Sequence, residues 1–101
     1  MVKISIITPV MNNVNFIKQC LNSVIEQNCP NLEHLIIDGA STDGTLDIVK
    51  EYAGKYEHIT WVSEKDNGQS DAMNKGIRLA KGEIITFLNV DDFFEPLFFD
   101  R

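Results

Sequence analysis

The sequence predicts an α/β fold, a doubly wound and mainly parallel sheet with strand order 3-2-1-4. Four short β-branched apolar runs alternate with three segments of helical period, and no repeat or low-complexity linker interrupts them. Strands joined through single helices must run parallel, because each crossover returns the chain to its starting edge. Right-handed crossovers then make 3-2-1-4 the default order for four strands. With 101 residues there is material for one core, so residues 1–101 are read as one domain.

The first strand is residues 3–8 (KISIIT), and the first helix follows over about 14–27. That helix places Val14, Ile17, Leu21, Val24 and Ile25 along one face, with Asn13 as N-cap and Pro30 as the stop. The second strand is residues 34–37 (HLII). After it, Ser41, Thr42, Asp43 and Gly44 supply hydroxyls and a carboxylate suited to capping the second helix. This helix carries Leu46, Ile48, Val49, Tyr52 and Ala53 and is expected to close at Gly54. Residues 59–62 (ITWV) form the third strand, with Trp61 read as core. The third helix, residues 70–80, is expected to turn Met73, Ile77 and Ala80 inward and to stop at Gly82; residues 83–88 (EIITFL) complete the sheet.

Composition narrows the function. An apolar fraction of 44% and a charged fraction of 24% suit an ordinary globular protein. No run approaches the roughly 18 apolar residues of a membrane span. The opening MVKISIITPV reads as a buried strand and not a signal peptide, which leads to the expectation of a cytoplasmic protein. A net charge of −6, with nine scattered basic residues, argues against a nucleic-acid partner. Cys20 and Cys29 would lie about 13 Å apart on a continuous helix, beyond disulfide reach, and are read as free thiols without a zinc site. His34 and His58 are read as solvated.

In the order 3-2-1-4 the winding reverses between strands one and four, and the crevice at their carboxyl ends is the expected ligand site. Thr8 to Asn12 leave one strand there, Asn89 to Asp92 leave the other, and Asp38 leaves the neighbouring second strand. Asp38, Asp91 and Asp92 are therefore expected to converge. The first turn, TPVMNN, has no glycine, so neither GxGxxG nor GxxxxGK[ST] is present, which disfavours a dinucleotide dehydrogenase or a P-loop NTPase. Carboxylates repel a pyrophosphate unless a divalent cation lies between, and oxygen ligands suit Mg²⁺ or Mn²⁺. An Asp-Asp pair after a strand also serves as a plain turn or helix cap.

The segments ISIITPVMNNVNFIKQCLNSVIEQ, IIDGASTDGTLDIV, SEKDNGQSDAMNKGIRLAKGEIITFLNVDD and FFEP resemble, in order and spacing, the signature blocks of glycosyltransferase family 2, which has the GT-A fold. The resemblance implies transfer of a sugar from a nucleotide-diphosphate sugar donor to a saccharide or lipid-linked acceptor, with inversion and a Mn²⁺ or Mg²⁺ ion. It places Thr8 and Pro9 against the nucleotide base and Asp38 in a base-contacting block, where Gly39 stands in a usually acidic place and Ala40 replaces the usual glycine. It also assigns Asp66, Gly68 and Asn74 to the nucleotide, with Met73 at the place of a common arginine. The DXD-type motif is Asn89-Val90-Asp91-Asp92. Asp91 and Asp92 would divide ribose contact and metal ligation, with Asp91 favoured as metal ligand and Asp92 left open.

No residue here is assigned as the catalytic base, which the family carries in an acceptor-binding half expected beyond Arg101. The chain is therefore expected to bind donor without transferring sugar, and in the full-length enzyme to lie at the inner face of the membrane. Ser41, Thr42 and Asp43 are read as caps before ligand contacts. Phe93, Phe94, Phe98 and Phe99 read as a segment awaiting a cover, and together with the fourth-strand edge they lead to an expectation of self-association. A phosphoacceptor receiver domain needs an acidic pair after its first strand, where this chain has Pro9-Val10-Met11. A non-catalytic nucleotide-binding or scaffolding module is the alternative reading.

Overall fold

The structure, a computed structural model, describes residues 3–91. Asp92 and the aromatic segment with Phe93, Phe94, Phe98 and Phe99 lie outside the described residues. The order is β1 (Ile4–Val10), α1 (Ile17–Ile25), β2 (Leu32–Asp38), α2 (Thr45–Lys55), β3 (Ile59–Ser63), α3 (Gln69–Leu79) and β4 (Ile84–Phe87). All pairings are parallel and the sheet order is β3-β2-β1-β4, as the crossover argument expects.

Alternation along the strands splits the core in two. Ile6, Val10, Leu32, Ile36 and Ile59 meet Ile17, Leu21, Val24 and Val49 of α1 and α2 on one face. Ile7, Leu35 and Ile37 meet Ala72 of α3 on the other. Every residue of β2 is buried, since this inner strand is covered on both faces. The edge strand β4 leaves Ile84, Ile85 and Phe87 exposed.

Several local expectations are corrected. The Asn13 side chain does not cap α1: its Oδ1 accepts the Met11 N–H at 2.7 Å, while its carbonyl accepts the Phe16 and Ile17 N–H groups, so residues 14–16 form a turn and the helix starts later. Pro30 does not stop α1 either. Asn28, at φ 51°, takes the left-handed conformation after a tightened last turn and ends the helix first. Gly54 lies inside α2, which runs to Lys55.

In α3 the buried face is Ala72 and Gly76, whereas Ile77 is exposed. The reason is distance. A Cβ on Gly76 would collide with the Ile7 side chain, so α3 lies nearly backbone-on-sheet and leaves no depth for larger residues beneath it. Trp61 is 39% exposed at the β3 edge, with the Lys50 ammonium 5.3 Å from its ring centroid. His34 is fully buried and not solvated, because β2 extends two residues further towards its N-terminus than expected and puts it inside the strand.

Candidate functional site

At the carboxyl edge of the sheet, the loop after β1 is welded to the loop after β2. Asn12 N–H donates to Ser41 Oγ at 2.9 Å, Asn12 Oδ1 accepts Thr42 N–H at 2.8 Å, and Asn13 N–H donates to Thr45 Oγ1 at 2.9 Å. Asp43 joins them, accepting from Val14 N–H with one oxygen and from Thr45 N–H with the other. The Thr45 hydroxyl bond is the main cause that holds the Asp43 carboxyl below its usual range. Asp43 thus caps α2, while Ser41 and Thr42 tie the loops together. Ala40 has φ +68°, the left-handed region in which a Cβ costs about 1 kcal/mol.

This frame walls a cleft of about 460 Å³ at the winding reversal between β1 and β4. Pro9, Val10 and Met11 supply its floor from the end of β1, and Asn13 and Phe16 its near side. Asp66, Gly68, Gln69 and Ala72 come from the approach to α3, and Asn89, Val90 and Asp91 from the end of β4. Gln69 Nε2 donates to Asn89 Oδ1 at 3.2 Å and links those two walls. Behind them, Lys75 sits 3.1 Å from Glu64 and 3.7 Å from Asp71. Desolvation pulls its ammonium pKa down, but Glu64, Asp71 and Asp66 outweigh that and hold it raised.

Of the residues expected at the site, Pro9, Asp66, Gly68 and Asp91 line the cleft. Thr8 does not. It is buried and shares a hydrogen bond of 2.8 Å with His34 Nε2. Asn74 is exposed on α3 outside the lining, and Asp92 lies outside the described residues.

The expected convergence of Asp38 with the other carboxylates is also corrected. Asp38 is fully buried, and its oxygens accept Ser41 Oγ at 2.5 Å, Ser41 N–H at 3.0 Å and Ser63 Oγ at 2.7 Å. It is spent on holding the β2–α2 loop to the end of β3. Among the described residues no group of three or more His, Cys, Asp or Glu gathers as a metal centre.

Met11 lines the cleft as one of the residues expected to leave β1 there, whereas Phe16 and Gln69 were missed by sequence reasoning. Phe16 enters from the turn before α1, and Gln69 is known only from its bond to Asn89 across space. On its β4 wall the cleft offers Asn89 and Asp91 as oxygen donors, with Asp66 on the opposite wall. That donor set fits a hard divalent cation, which needs only one or two carboxylates when phosphate oxygens and water complete its shell.

Residues 5–100 match the family described as Glycosyl transferase family 2. The chain belongs to glycosyltransferase family 2. It is 40% identical over 95 residues to the poly(ribitol-phosphate) beta-glucosyltransferase of Bacillus spizizenii, covering 90% of this chain and 15% of that protein. To a PGL/p-HBAD biosynthesis glycosyltransferase of Mycobacterium bovis it is 40% identical over 89 residues, 87% of this chain and 35% of that one. Among solved structures it resembles the mannosyltransferase PcManGT from Pyrobaculum calidifontis in complex with GDP-Man and Mn²⁺, with TM-score 0.88, 31% identity, and coverage of 95% of this chain and 29% of that chain. It also resembles S. aureus TarS 1-349 in complex with UDP-GlcNAc, with TM-score 0.83, 32% identity, and coverage of 90% and 27%. This family 2 chain thus spans well under half the length of these relatives.

Proposed function

We propose that the chain binds the nucleotide-diphosphate sugar donor of an inverting, metal-dependent glycosyltransferase. The observation that carries this reading is the cleft at the β1/β4 reversal, with Asp91 and Asn89 on one wall and Asp66 on the other, in a chain of family 2. A Mn²⁺ or Mg²⁺ ion held there would neutralise charge on the departing diphosphate. Asp91 would ligate it, and Asn89, fixed by Gln69, would orient the diphosphate. Pro9, Met11 and Phe16 exclude water from the nucleoside.

In the reaction an acceptor hydroxyl oxygen bonds to the anomeric carbon as the bond to the diphosphate oxygen breaks, and the diphosphate leaves with the electron pair. The hydroxyl proton passes to a carboxylate base that this reading places in an acceptor-binding half. The acceptor is a saccharide or a lipid-linked one, and the enzyme works in the cytoplasm, at the inner face of the membrane.

Calorimetric titration with UDP and GDP, with and without Mn²⁺, tests the site. Mn²⁺ should tighten binding, and Asp91→Asn should weaken the metal-dependent part about tenfold or more, the scale of one lost charge-assisted contact. Asp91 is exposed, so the melting temperature should not move. Affinity indifferent to both Mn²⁺ and Asp91→Asn would reject the reading.

Self-association through the β4 edge belongs to the same reading, supported by the exposed Ile84, Ile85 and Phe87 beside unpaired backbone groups among the described residues. Sedimentation velocity should show faster species as concentration rises. A concentration-independent monomer would count against it.

A further inference from the structure

We infer that Asp66 selects the base of the bound nucleotide, admitting those that present a ring N–H, as uracil and guanine do, over cytosine and adenine. The inference rests on the donor-binding reading of the same cleft. It starts from a mismatch. Asp38, the carboxylate expected to meet the base, is buried and already accepts three hydrogen bonds, so it has no exposed acceptor for a ligand. Gly39, at the next position, carries no side chain.

Asp66 fills the space this leaves. Its Oδ2 lies 3.0 Å from the point a Gly39 Cβ would occupy, and the Met11 sulfur lies 3.3 Å from the same point. Gly39 is anchored through its N–H to Val10 O at 2.9 Å, so the approach is made by the Asp66 and Met11 side chains. The second Asp66 oxygen, Oδ1, accepts Gly68 N–H at 3.1 Å, which fixes the carboxylate plane. Oδ2 has no hydrogen-bond partner among the described residues, and Asp66 is one of the residues that line the cleft.

The position agrees with a nucleoside laid across the cleft. Asp66 stands over the end of β2 and Asp91 follows β4, on either side of β1. Those strands are two spacings apart, about 9.5 Å, which leaves room for a ribose between base and diphosphate. Met11 offers a polarisable sulfur to the base face.

The chemistry decides the preference. An ionised carboxylate only accepts hydrogen bonds. Uracil N3 and guanine N1 carry a proton and can donate to Oδ2. Cytosine N3 and adenine N1 would set a lone pair against it, and that mismatch in a partly desolvated site costs more than a lost contact.

Calorimetry on the chain with UDP, GDP, CDP and ADP at saturating Mn²⁺ tests this. UDP and GDP should bind about tenfold or more tighter than CDP and ADP. In Asp66→Asn the amide NH₂ can take the Oδ2 place and donate to cytosine N3, so the UDP-to-CDP affinity ratio should fall about tenfold. Gly39→Ala, whose Cβ would stand 3.0 Å from Asp66 Oδ2 and 3.3 Å from the Met11 sulfur, should displace that oxygen and lower the ratio, and it keeps the test open if Asp66→Asn folds poorly. Equal affinity for UDP and CDP in the wild type, or a ratio untouched by both substitutions, would overturn the inference while leaving donor binding intact. Failure of every nucleotide to bind would remove the donor-binding reading and this inference with it.

Discussion

Alanine at position 82 should cost about 3 kcal/mol or more of folding stability and lower the melting temperature by roughly 10 °C or more. A Cβ on Gly82 would stand 2.5 Å from Ser5 Oγ, 2.7 Å from Ser5 N and 2.8 Å from Lys3 O, and two of those are backbone atoms, in β1 and just before it, that cannot swing away. The contact is close because the α3–β4 connection is pinned there. Gly82 N–H donates to Ser5 Oγ at 2.8 Å, Ser5 Oγ donates to Glu33 Oε2 at 2.5 Å, and Lys81 N–H donates to the same oxygen at 2.6 Å.

Lys3 O accepts Glu83 N–H at 2.9 Å and Ile84 N–H at 3.2 Å, which sets the β1–β4 register at Ile4 and Ile84. Displacing Gly82 therefore loosens these five bonds and shifts the strand that delivers Asn89 and Asp91. A melting temperature within about 2 °C of wild type would show that the pinning carries little energy.

Acid should unfold the chain through His34. Burial, helped by the nearby His58, pushes the His34 pKa from 6.5 down to about 3. Folding thus favours the neutral ring: its contribution is complete above pH 6.5 and is lost as pH falls towards 3, where the unfolded chain binds the proton that the folded chain refuses. The difference amounts to roughly 4 to 5 kcal/mol. A domain stabilised by about 5–15 kcal/mol in total would feel that loss strongly.

His58, also lowered by burial, adds a slope of the same sign. Glu33 adds to it at the acid end. Burial raises its carboxyl pKa, but Ser5, the Lys81 N–H and the Lys3 and Lys81 charges outweigh that, so its contribution is lost as pH falls through a value below the ordinary one. Urea unfolding from pH 7 to 3.5 should show stability falling by about 1.4 kcal/mol per pH unit for His34 alone. His34→Gln keeps a partner for Thr8 without titrating and should remove that share of the slope. An unchanged slope in His34→Gln would place the acid sensitivity elsewhere.

Position in the chain explains what was legible beforehand. The strands showed as β-branched runs, the helices as three- and four-residue spacing, and the order as the handedness of crossovers; each is a local or generic rule. Pro9, Asp66, Gly68 and Asp91 were placed at the cleft by motif and topology together. Thr8 and Asp38 were expected there for the same reasons and are not in its lining, because their polar atoms find nearer partners. Ser41 reaches Asp38 from the loop after β2 and Ser63 from the end of β3, and His34 reaches Thr8 from the next strand.

The sequence by itself determined the family, the element order and the edge of the sheet at which a ligand would sit, because these follow from periodicity, chain reversal and ordered motifs. Only the tertiary structure decided which carboxylates remain free to meet a ligand. A side chain's availability is set by whichever donors the fold brings within 3 Å of it, and at Asp38 those donors arrive from residues up to 25 positions away. At Asp66 the fold leaves one oxygen without such a donor, over a residue that has no side chain to fill the gap.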